Sequence, residues 1–143
     1  MWLCGTPLHD ATYSLAIEEI TMNEDKHIET LAALGAIKGQ QLGAVTFVQD
    51  YVQLAFDGPG LTAFNCPFVL MNDNVWKPAS DFYRDRLCEQ ITKIVSDVEL
   101  TNDNISIIFV DGSRVEVPLE IAEGCAEAAI FTNPAKGYTA VWN

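Results

Sequence analysis

The chain has 143 residues, which suits one domain that can bury a core without support from disulfides or metals. Its 20 acidic and 8 basic residues give a net charge of −12. This balance disfavours nucleic acid and anionic membranes as partners, because binding to phosphates relies on lysine and arginine. The acidity has two interpretations: it serves solubility, or it attracts a basic protein partner over a long range.

The four cysteines are scattered through the chain without a C-x-x-C pair, so we predict neither a zinc site nor a redox motif. We expect reduced thiols in the cytoplasm, with a bridge between Cys4 and Cys125 left open as an alternative. The N-terminal residues contain neither a basic region nor a continuous apolar run, which predicts no signal peptide. No stretch approaches the roughly 18 apolar residues that a membrane span requires.

The first half of the chain predicts a helix followed by three strands. Residues 1–22 fit either a strand or the start of a helix. Asn23 can cap a helix, apolar residues then recur at helical spacing, and Gly39 is a plausible helix end. Strands with alternating apolar residues follow at 42–48, 51–57 and 61–66. The third strand is expected to bury Cys66 as a small core residue.

The second half of the chain repeats this pattern after an irregular joint at residues 68–80. A helix is predicted over residues 81–93, with an apolar stripe formed by Phe82, Leu87, Ile91 and Ile94. Three strands are predicted at 95–101, 104–110 and 113–117. A short helix around residues 119–130 and a strand at residues 138–142 complete the chain.

The two halves share an internal repeat. The residues Val45, Val52, Leu54 and Phe56 match Val98, Ile105, Ile107 and Phe109 at a constant offset of 53. An Asp-Gly pair follows each set, with a slip of one residue. Further on, Phe64, Cys66 and Pro67 match Val115, Val117 and Pro118 at an offset of 51. The pattern is typical of two copies of one β-meander, each preceded by a helix.

These elements predict an α+β fold in one domain, residues 1–143. It would contain two helix-plus-three-strand units, at about 23–67 and 81–118, and a C-terminal extension at 119–143. The units would be related by pseudo-two-fold symmetry in one antiparallel or mixed sheet, or in a partly closed barrel. Such sheets leave edge strands, which a second chain can pair with, so we expect a homodimer.

Residue types that often carry catalysis have simpler structural explanations in this sequence. The Asp-Gly pairs at 57–58 and 111–112 are typical of hairpin turns rather than of paired catalytic acids. His9 and His27 have no metal-ligand or nucleophile motif beside them. Glycine motifs for nucleotide binding are absent from the sequence. We therefore predict no catalytic residues, no metal site and no cofactor.

Aromatic residues outside the repeated core pattern are the most suggestive candidates for a binding site. Trp76, Tyr83 and Trp142 lie in the joint, in the second helix and near the C-terminal end. Arg84 and Arg86 could form the polar side of such a site, or they could pair with nearby acidic residues along the helix. Near-surface aromatics concentrate in interfaces and pockets, although these side chains could equally seal the ends of the core.

The segment from Gln41 to Gly58, with its echo from Ile105 to Gly112, resembles small uncharacterised bacterial domains with tandem β-meander units. Proteins of this kind include those carried on mobile gene cassettes such as integrons. The resemblance covers roughly residues 26–131 and depends on structural motifs. It implies a fold type and no particular activity.

Composition and motifs together favour a non-catalytic, acidic protein-interaction domain of the cytoplasm. An immunity-type or inhibitor role, in which an acidic protein neutralises a basic one, is one concrete version. The alternative is a small-ligand-binding protein or an enzyme, with a pocket between the sheet and its helices lined by Trp76, Tyr83 and Trp142.

Overall fold

The computed structural model describes residues 25–121 and 123–143 of the chain. It divides into two compact units, Met1–Ala32 and Ala33–Asn143. In the first unit the described residues, 25–32, are helical. All ten strands given below belong to the second unit, and the description that follows concerns that unit. The predictions for residues 1–22, which include Cys4 and His9, and the predicted cap at Asn23 lie outside the described residues.

The helical elements are short and precede the strands of each half. Helix α1 covers the described residues 25–32 of the first unit. The second unit begins with helical residues 33–34 and the 3₁₀ turn Gly35–Ile37, and its helix α2 covers Tyr83–Cys88. The strands of the first half are β1 (Ala44–Val48), β2 (Tyr51–Ala55), β3 (Gly60–Ala63), β4 (Phe68–Met71) and β5 (Asn74–Trp76). Those of the second half are β6 (Val95–Leu100), β7 (Asn104–Phe109), β8 (Arg114–Pro118), β9 (Ala129–Asn133) and β10 (Tyr138–Trp142). A second 3₁₀ turn, Pro134–Lys136, joins β9 to β10.

The ten strands form two five-stranded sheets, and every pairing is antiparallel. Sheet A has the order β1-β2-β3-β9-β10, and sheet B has the order β5-β4-β8-β7-β6. The α+β class is thus confirmed. The strands do not form the predicted single sheet, and they do not close into a barrel.

Each sheet combines a meander from one half of the chain with a hairpin from the other. The β4–β5 hairpin follows the first meander but pairs with β8 of the second meander. The β9–β10 hairpin follows the second meander but pairs with β3 of the first. This exchange of hairpins joins the two sheets by chain connectivity.

The segments that precede the two meanders pair with each other. Gln41 lies opposite Ile94 in an isolated antiparallel bridge. Two backbone hydrogen bonds lie on each side of this bridge. On one side, Gly39 N–H donates to Val95 O, and Val95 N–H donates to Gln40 O. On the other side, Leu42 N–H donates to Lys93 O, and Thr92 N–H donates to Leu42 O. Their lengths lie between 2.8 and 3.0 Å. The starts of β1 and β6 are therefore fixed to one another.

The core contains the repeated apolar residues that the sequence singled out. Leu54, Ile107, Phe56 and Phe109 are all buried. The two Asp-Gly pairs form turns, and Gly58 and Gly112 both have positive φ, at 104° and 89°. Glycine adopts this conformation without a Cβ clash, which explains its place in both turns.

Several sequence predictions were wrong. Within the described residues, 119–130 contain no helix, and β4, β5 and β9 were missed. Cys66 is exposed rather than buried, because β3 ends at Ala63 before the chain turns away. Phe64, Cys66 and Pro67 lie beyond the end of β3 at Ala63, whereas Val115, Val117 and Pro118 lie within β8, so the match at an offset of 51 does not join strand residues with strand residues. The second helix ends at Cys88, well before residue 93.

Candidate functional site

Four of the five predicted binding residues lie on or beside helix α2. Tyr83, Arg84 and Arg86 belong to the helix, and Trp76 ends the neighbouring strand β5. Trp142 lies in the other sheet, at the end of the edge strand β10. Helix α2 itself contacts both β1 of sheet A and β4 of sheet B. The helix thus lies between the two sheets, where it can present one continuous surface.

Arginine side chains on α2 stack on aromatic rings from both sheets. The Arg86 guanidinium lies 5.6 Å from the ring centroid of Trp76 and 5.9 Å from that of Phe82. Arg84 lies 5.6 Å from the ring of Phe47 in β1. A cation over a ring face at this distance contributes about 0.5–1 kcal/mol at an exposed site. We call these five residues, Phe47, Trp76, Phe82, Arg84 and Arg86, the α2 face.

Phe82 is the most unusual residue of the α2 face. It precedes the first helical residue, and its φ of 63° and ψ of 15° place it in the left-handed region. This region is unfavourable for a bulky side chain because Cβ approaches the backbone carbonyl. The ring is nevertheless 65% exposed, so burial does not compensate for the strain. The helical stripe predicted this residue to be buried, and the left-handed turn explains why it is not.

Tyr83 holds helix α2 in place from the buried side of the helix. Its side chain is buried, and its hydroxyl donates a hydrogen bond of 2.5 Å to the carbonyl oxygen of Pro67. Burial raises the pKa of Tyr83, and the nearby thiol of Cys66 raises it further. The phenol is therefore neutral and holds α2 against the start of β4. It is a support for the α2 face rather than a part of its surface.

Carboxylates surround the arginines of α2. Glu89 pairs with Arg86, and Asp81 and Asp85 are exposed beside Phe82 and Arg84. Pairing with an acidic residue along the helix, one of the two alternatives that the sequence left open, is present for Arg86, which also stacks on rings. The α2 face is thus an aromatic centre with cations held over its rings and carboxylates at its margin.

A second cluster of polar side chains lies around the turn that follows β7 in sheet B. Lys93 Nζ lies 2.8 Å from Asp111 Oδ2 and donates to Ser113 Oγ at 3.1 Å. Ser113 Oγ also lies 2.9 Å from Oε1 of Gln90, which is fully buried. The Gln90 amide donates to Met71 Sδ at 3.1 Å. Three residues of this cluster, Met71, Asp111 and Ser113, also line a groove of about 370 Å³ that is formed by residues 70–75 and 111–114.

The charges in this cluster argue against acid–base chemistry there. Desolvation alone would raise the pKa of Asp111, but hydrogen bonds from Lys93 and Ser113 outweigh it and lower the pKa to about 2. A carboxylate with so low a pKa is a weak base at neutral pH, because an effective base has a pKa near the working pH. Lys93 is held as the partner of that carboxylate. The cluster therefore stabilises the turn and supplies polar groups to one side of the groove.

Two members of the α2 face, Phe47 and Phe82, were not among the predicted site residues. Phe47 looked like an ordinary alternating strand residue, yet it is 39% exposed. Its uncharged, β-branched neighbours in an edge strand were the available signal, because edges of this kind often bind other chains. For Phe82 no sequence signal distinguishes a left-handed residue from the first residue of the helix.

The described residues lack two features that mark known classes of site. They contain no group of three or more His, Cys, Asp or Glu side chains placed to hold a metal ion. No helix in this part of the chain is both long and apolar enough to cross a membrane. Cys66, Cys88 and Cys125 are free thiols. Comparisons with protein-family models, with curated proteins and with solved structures found no match.

Proposed function

We propose that this chain is a non-catalytic, acidic interaction domain of the cytoplasm that binds a basic protein through the α2 face. The observation that carries the proposal is Phe82, an exposed aromatic side chain held by a strained backbone. Strain of this kind costs on the order of 1–3 kcal/mol and concentrates at functional sites. An immunity-type or inhibitor role is the concrete version of this function.

The composition of the α2 face supports the proposal. Tryptophan and arginine dominate the few interface residues that contribute most of the binding energy, and aromatic residues are enriched around them. Arg86 is held between Trp76 and Phe82, and Arg84 is held over Phe47. Side chains that are already ordered lose little conformational entropy on binding. The face therefore has both the residue types and the rigidity of a binding surface.

Charge supports a basic partner. The arginines of α2 are engaged with aromatic rings, whereas Asp81 and Asp85 remain exposed at the margin. A net charge of −12 attracts a basic protein over a long range and raises its association rate. Lysine or arginine side chains of the partner can pair with Asp81 and Asp85, while their stems cover the ring of Phe82.

Site-specific photocrosslinking tests this function. A benzophenone amino acid is placed at position 82 or, as a matched control, at position 110, where Val110 is 69% exposed. The two proteins are irradiated in a lysate of the cells that naturally express the chain. We expect one basic protein to crosslink from position 82 and not from position 110, with less crosslinking as salt increases. Equal products from both positions, or an acidic partner from position 82, would contradict the proposal.

We further propose that the two halves are copies of one unit related by a pseudo-two-fold axis. Each strand of the first half has a counterpart in the second half at a constant offset in residue number. The offset is 53 for β1 and β6 and for β2 and β7, 54 for β3 and β8, 62 for β4 and β9, and 64 for β5 and β10. The four backbone hydrogen bonds between residues 39–42 and 92–95 also correspond in pairs. Adding 53 to the residue number in the first segment and subtracting 53 from the residue number in the second converts each bond into another of the four. This reciprocity supports an axis at Gln41 and Ile94.

A second candidate function is small-ligand binding in the groove beside Asp111. The observation in its favour is that Ser113, a nearly buried polar side chain whose hydroxyl donates to Gln90, lines the groove together with Asp111. The equivalent of Gln90 in the first half is Ile37, so the polar cluster is specific to one half. A thermal-shift screen against metabolites tests it, since a bound ligand raises the melting temperature. A compound that binds in the groove should raise the melting temperature of the wild type but not that of Asp111→Asn. A compound that raises both melting temperatures equally does not bind in the groove.

A further inference from the structure

Two Asp-Gly turns of the second unit have exposed aspartates, which differ in how their carboxylates are held. Asp57-Gly58 lies between β2 and β3, and Asp111-Gly112 lies between β7 and β8. In both turns the glycine has positive φ, and its N–H donates a hydrogen bond of 2.9 Å to a backbone carbonyl oxygen. Because exposure and the bonding of the glycine nitrogen are alike, the two carboxylates can be compared directly.

Three contacts hold the carboxylate of Asp111. The backbone N–H of Ser113 donates to Oδ1 at 2.9 Å, and the Ser113 hydroxyl lies 2.5 Å from the same atom. Lys93 Nζ lies 2.8 Å from Oδ2. Desolvation would raise the pKa of Asp111, but these contacts outweigh it and lower the pKa to about 2. Both oxygens are engaged, so the side chain is fixed and stays ionised at mildly acidic pH.

The carboxylate of Asp57 lacks such contacts. Within residues 25–121 and 123–143, no group donates a hydrogen bond to it, and no lysine or arginine forms an ion pair with it. The backbone N–H of Asp57 does donate to Gln40 Oε1 at 3.0 Å, which holds the main chain of the turn. The side chain can therefore rotate while the turn stays formed.

We propose that Asp57 is a site of spontaneous isoaspartate formation and that Asp111 is protected from this reaction. The nitrogen of Gly58 attacks the side-chain carboxyl carbon of Asp57, a C–N bond forms, and the hydroxyl of the acid leaves with the amide proton as water. Water then opens the cyclic succinimide. When it cleaves the bond between the nitrogen and the main-chain carbonyl carbon, the main chain runs through the side chain and the α-carboxylate becomes free.

The reaction depends on two conditions that the turns meet differently. The carboxyl carbon must rotate onto the glycine nitrogen, and the carboxyl group must be the neutral acid, since its hydroxyl leaves as water. Glycine itself presents no Cβ that would hinder the approach. At Asp111 the contacts with Lys93 and Ser113 oppose the rotation. A pKa of about 2 instead of 3.8 also makes the neutral acid on the order of fifty times rarer at a pH well above both values.

Isoaspartate at position 57 would change the turn and create a group that an enzyme can modify. It adds one carbon to the main chain between β2 and β3, where Phe56 N–H donates to Pro59 O at 2.9 Å. Its free α-carboxylate is the group to which isoaspartyl methyltransferases transfer a methyl group from S-adenosylmethionine. The aged chain would then be a substrate of this class of enzyme.

Ageing of the folded protein in a mildly acidic buffer tests the proposal. After proteolysis, the peptides that contain positions 57 and 111 are separated, and their isoaspartate is measured by enzymatic methyl transfer from S-adenosylmethionine. In the wild type we expect at least about tenfold more isoaspartate at position 57 than at position 111. Lys93→Met should increase isoaspartate severalfold at position 111 and leave position 57 unchanged, because it removes one of the contacts that hold Asp111.

Two controls separate the effect of the fold from effects of the local sequence and of the assay. Asp57→Glu should give no signal at position 57, because glutamate would have to close a larger ring, which forms slowly. In urea, where the contacts of Asp111 are lost, the two positions should form isoaspartate at similar rates.

Two results would overturn the proposal. One is a folded protein in which isoaspartate is absent at position 57 or equal at the two positions. The other is a preference for position 57 that persists in urea, because the local sequence would then be its cause. Neither turn belongs to the α2 face, so either result leaves the proposed function standing.

Discussion

Gln41 lies opposite Ile94 in the isolated bridge between the two meanders, and the two residues are separated by the 53 positions that separate the repeated apolar residues. Gly39 and Thr92, another pair at this separation, have φ angles of 82° and 81°. Glycine adopts this backbone readily, whereas threonine is β-branched and is strained there. The same backbone geometry therefore occurs at both positions, although only one of the two residues suits it.

Replacing Thr92 by glycine should stabilise the protein. The left-handed conformation costs threonine about 1–2 kcal/mol, and part of this gain is offset because glycine makes the unfolded chain more flexible. We expect an increase of about 1 kcal/mol in the free energy of unfolding, measured by chemical denaturation. The converse substitution, Gly39→Ala, should lower it by about 1 kcal/mol. Two changes of the same sign would show that the two positions are not equivalent.

Leu34 and Leu87 provide a third pair at the separation of 53, and both are fully buried. Truncating a buried leucine to alanine removes apolar contacts and leaves a cavity, at a cost of about 2–5 kcal/mol. We therefore expect Leu34→Ala and Leu87→Ala each to fall in this range by urea denaturation. An exposed control, Val110→Ala, should change stability by less than about 0.5 kcal/mol. If either leucine variant is as stable as that control, the paired core positions do not have equal roles.

Loss of the Lys93–Asp111 ion pair should change how stability depends on pH. The pKa of Asp111 in the folded protein is about 2, below its usual value of 3.8. A lowered folded pKa stabilises the protein above the unfolded pKa, and this contribution is lost as the pH falls from about 4 to about 2. Lys93→Met should therefore lower the free energy of unfolding by about 1 kcal/mol at neutral pH and by little at pH 2. The figure at neutral pH allows for solvent screening, because the Asp111 carboxylate is half-exposed.

The control for this prediction is Lys136→Met, which removes a lysine from the exposed turn before β10. The difference in the free energy of unfolding between Lys136→Met and the wild type should stay nearly constant over the same pH range. The measurement is the free energy of unfolding by urea at intervals from neutral pH to pH 2. A Lys93→Met difference that does not shrink on acidification would mean that the ion pair does not lower the Asp111 pKa.

Alternation of apolar residues predicted the strands of the two meanders and β10, and buried residues do alternate with more exposed ones in β2, β3 and β8. It missed β4, whose sequence Phe68–Met71 is a continuous apolar run without a period of two. It also missed β9, which became part of a predicted helix because alanines and acids at residues 120–128 favour helical structure. The exchange of hairpins lies beyond local patterns, since it depends on which strand edges meet.

The candidate site was predictable only in part, for the same reason. Tryptophan and arginine at Trp76 and Arg86 stood out as residue types that favour interfaces. That they stack depends on the position of β5 beside α2, which the exchanged hairpin determines. The exposure of Phe82 depends on one backbone conformation that its sequence neighbours, Ser80 and Asp81, do not reveal. The helix predicted over residues 81–93 would include Phe82.

The affinity of the α2 face for the partner captured from position 82 tests the central claim most directly. Isothermal titration calorimetry would compare the wild type, Phe82→Gly and the exposed control Val110→Gly. Glycine relieves the left-handed strain and loses the stacking on Arg86, two opposing effects of about 1 kcal/mol each, so stability should change little. We predict that Phe82→Gly binds at least about tenfold more weakly while Val110→Gly binds like the wild type. Wild-type affinity in Phe82→Gly would contradict the assignment of this face as the binding site.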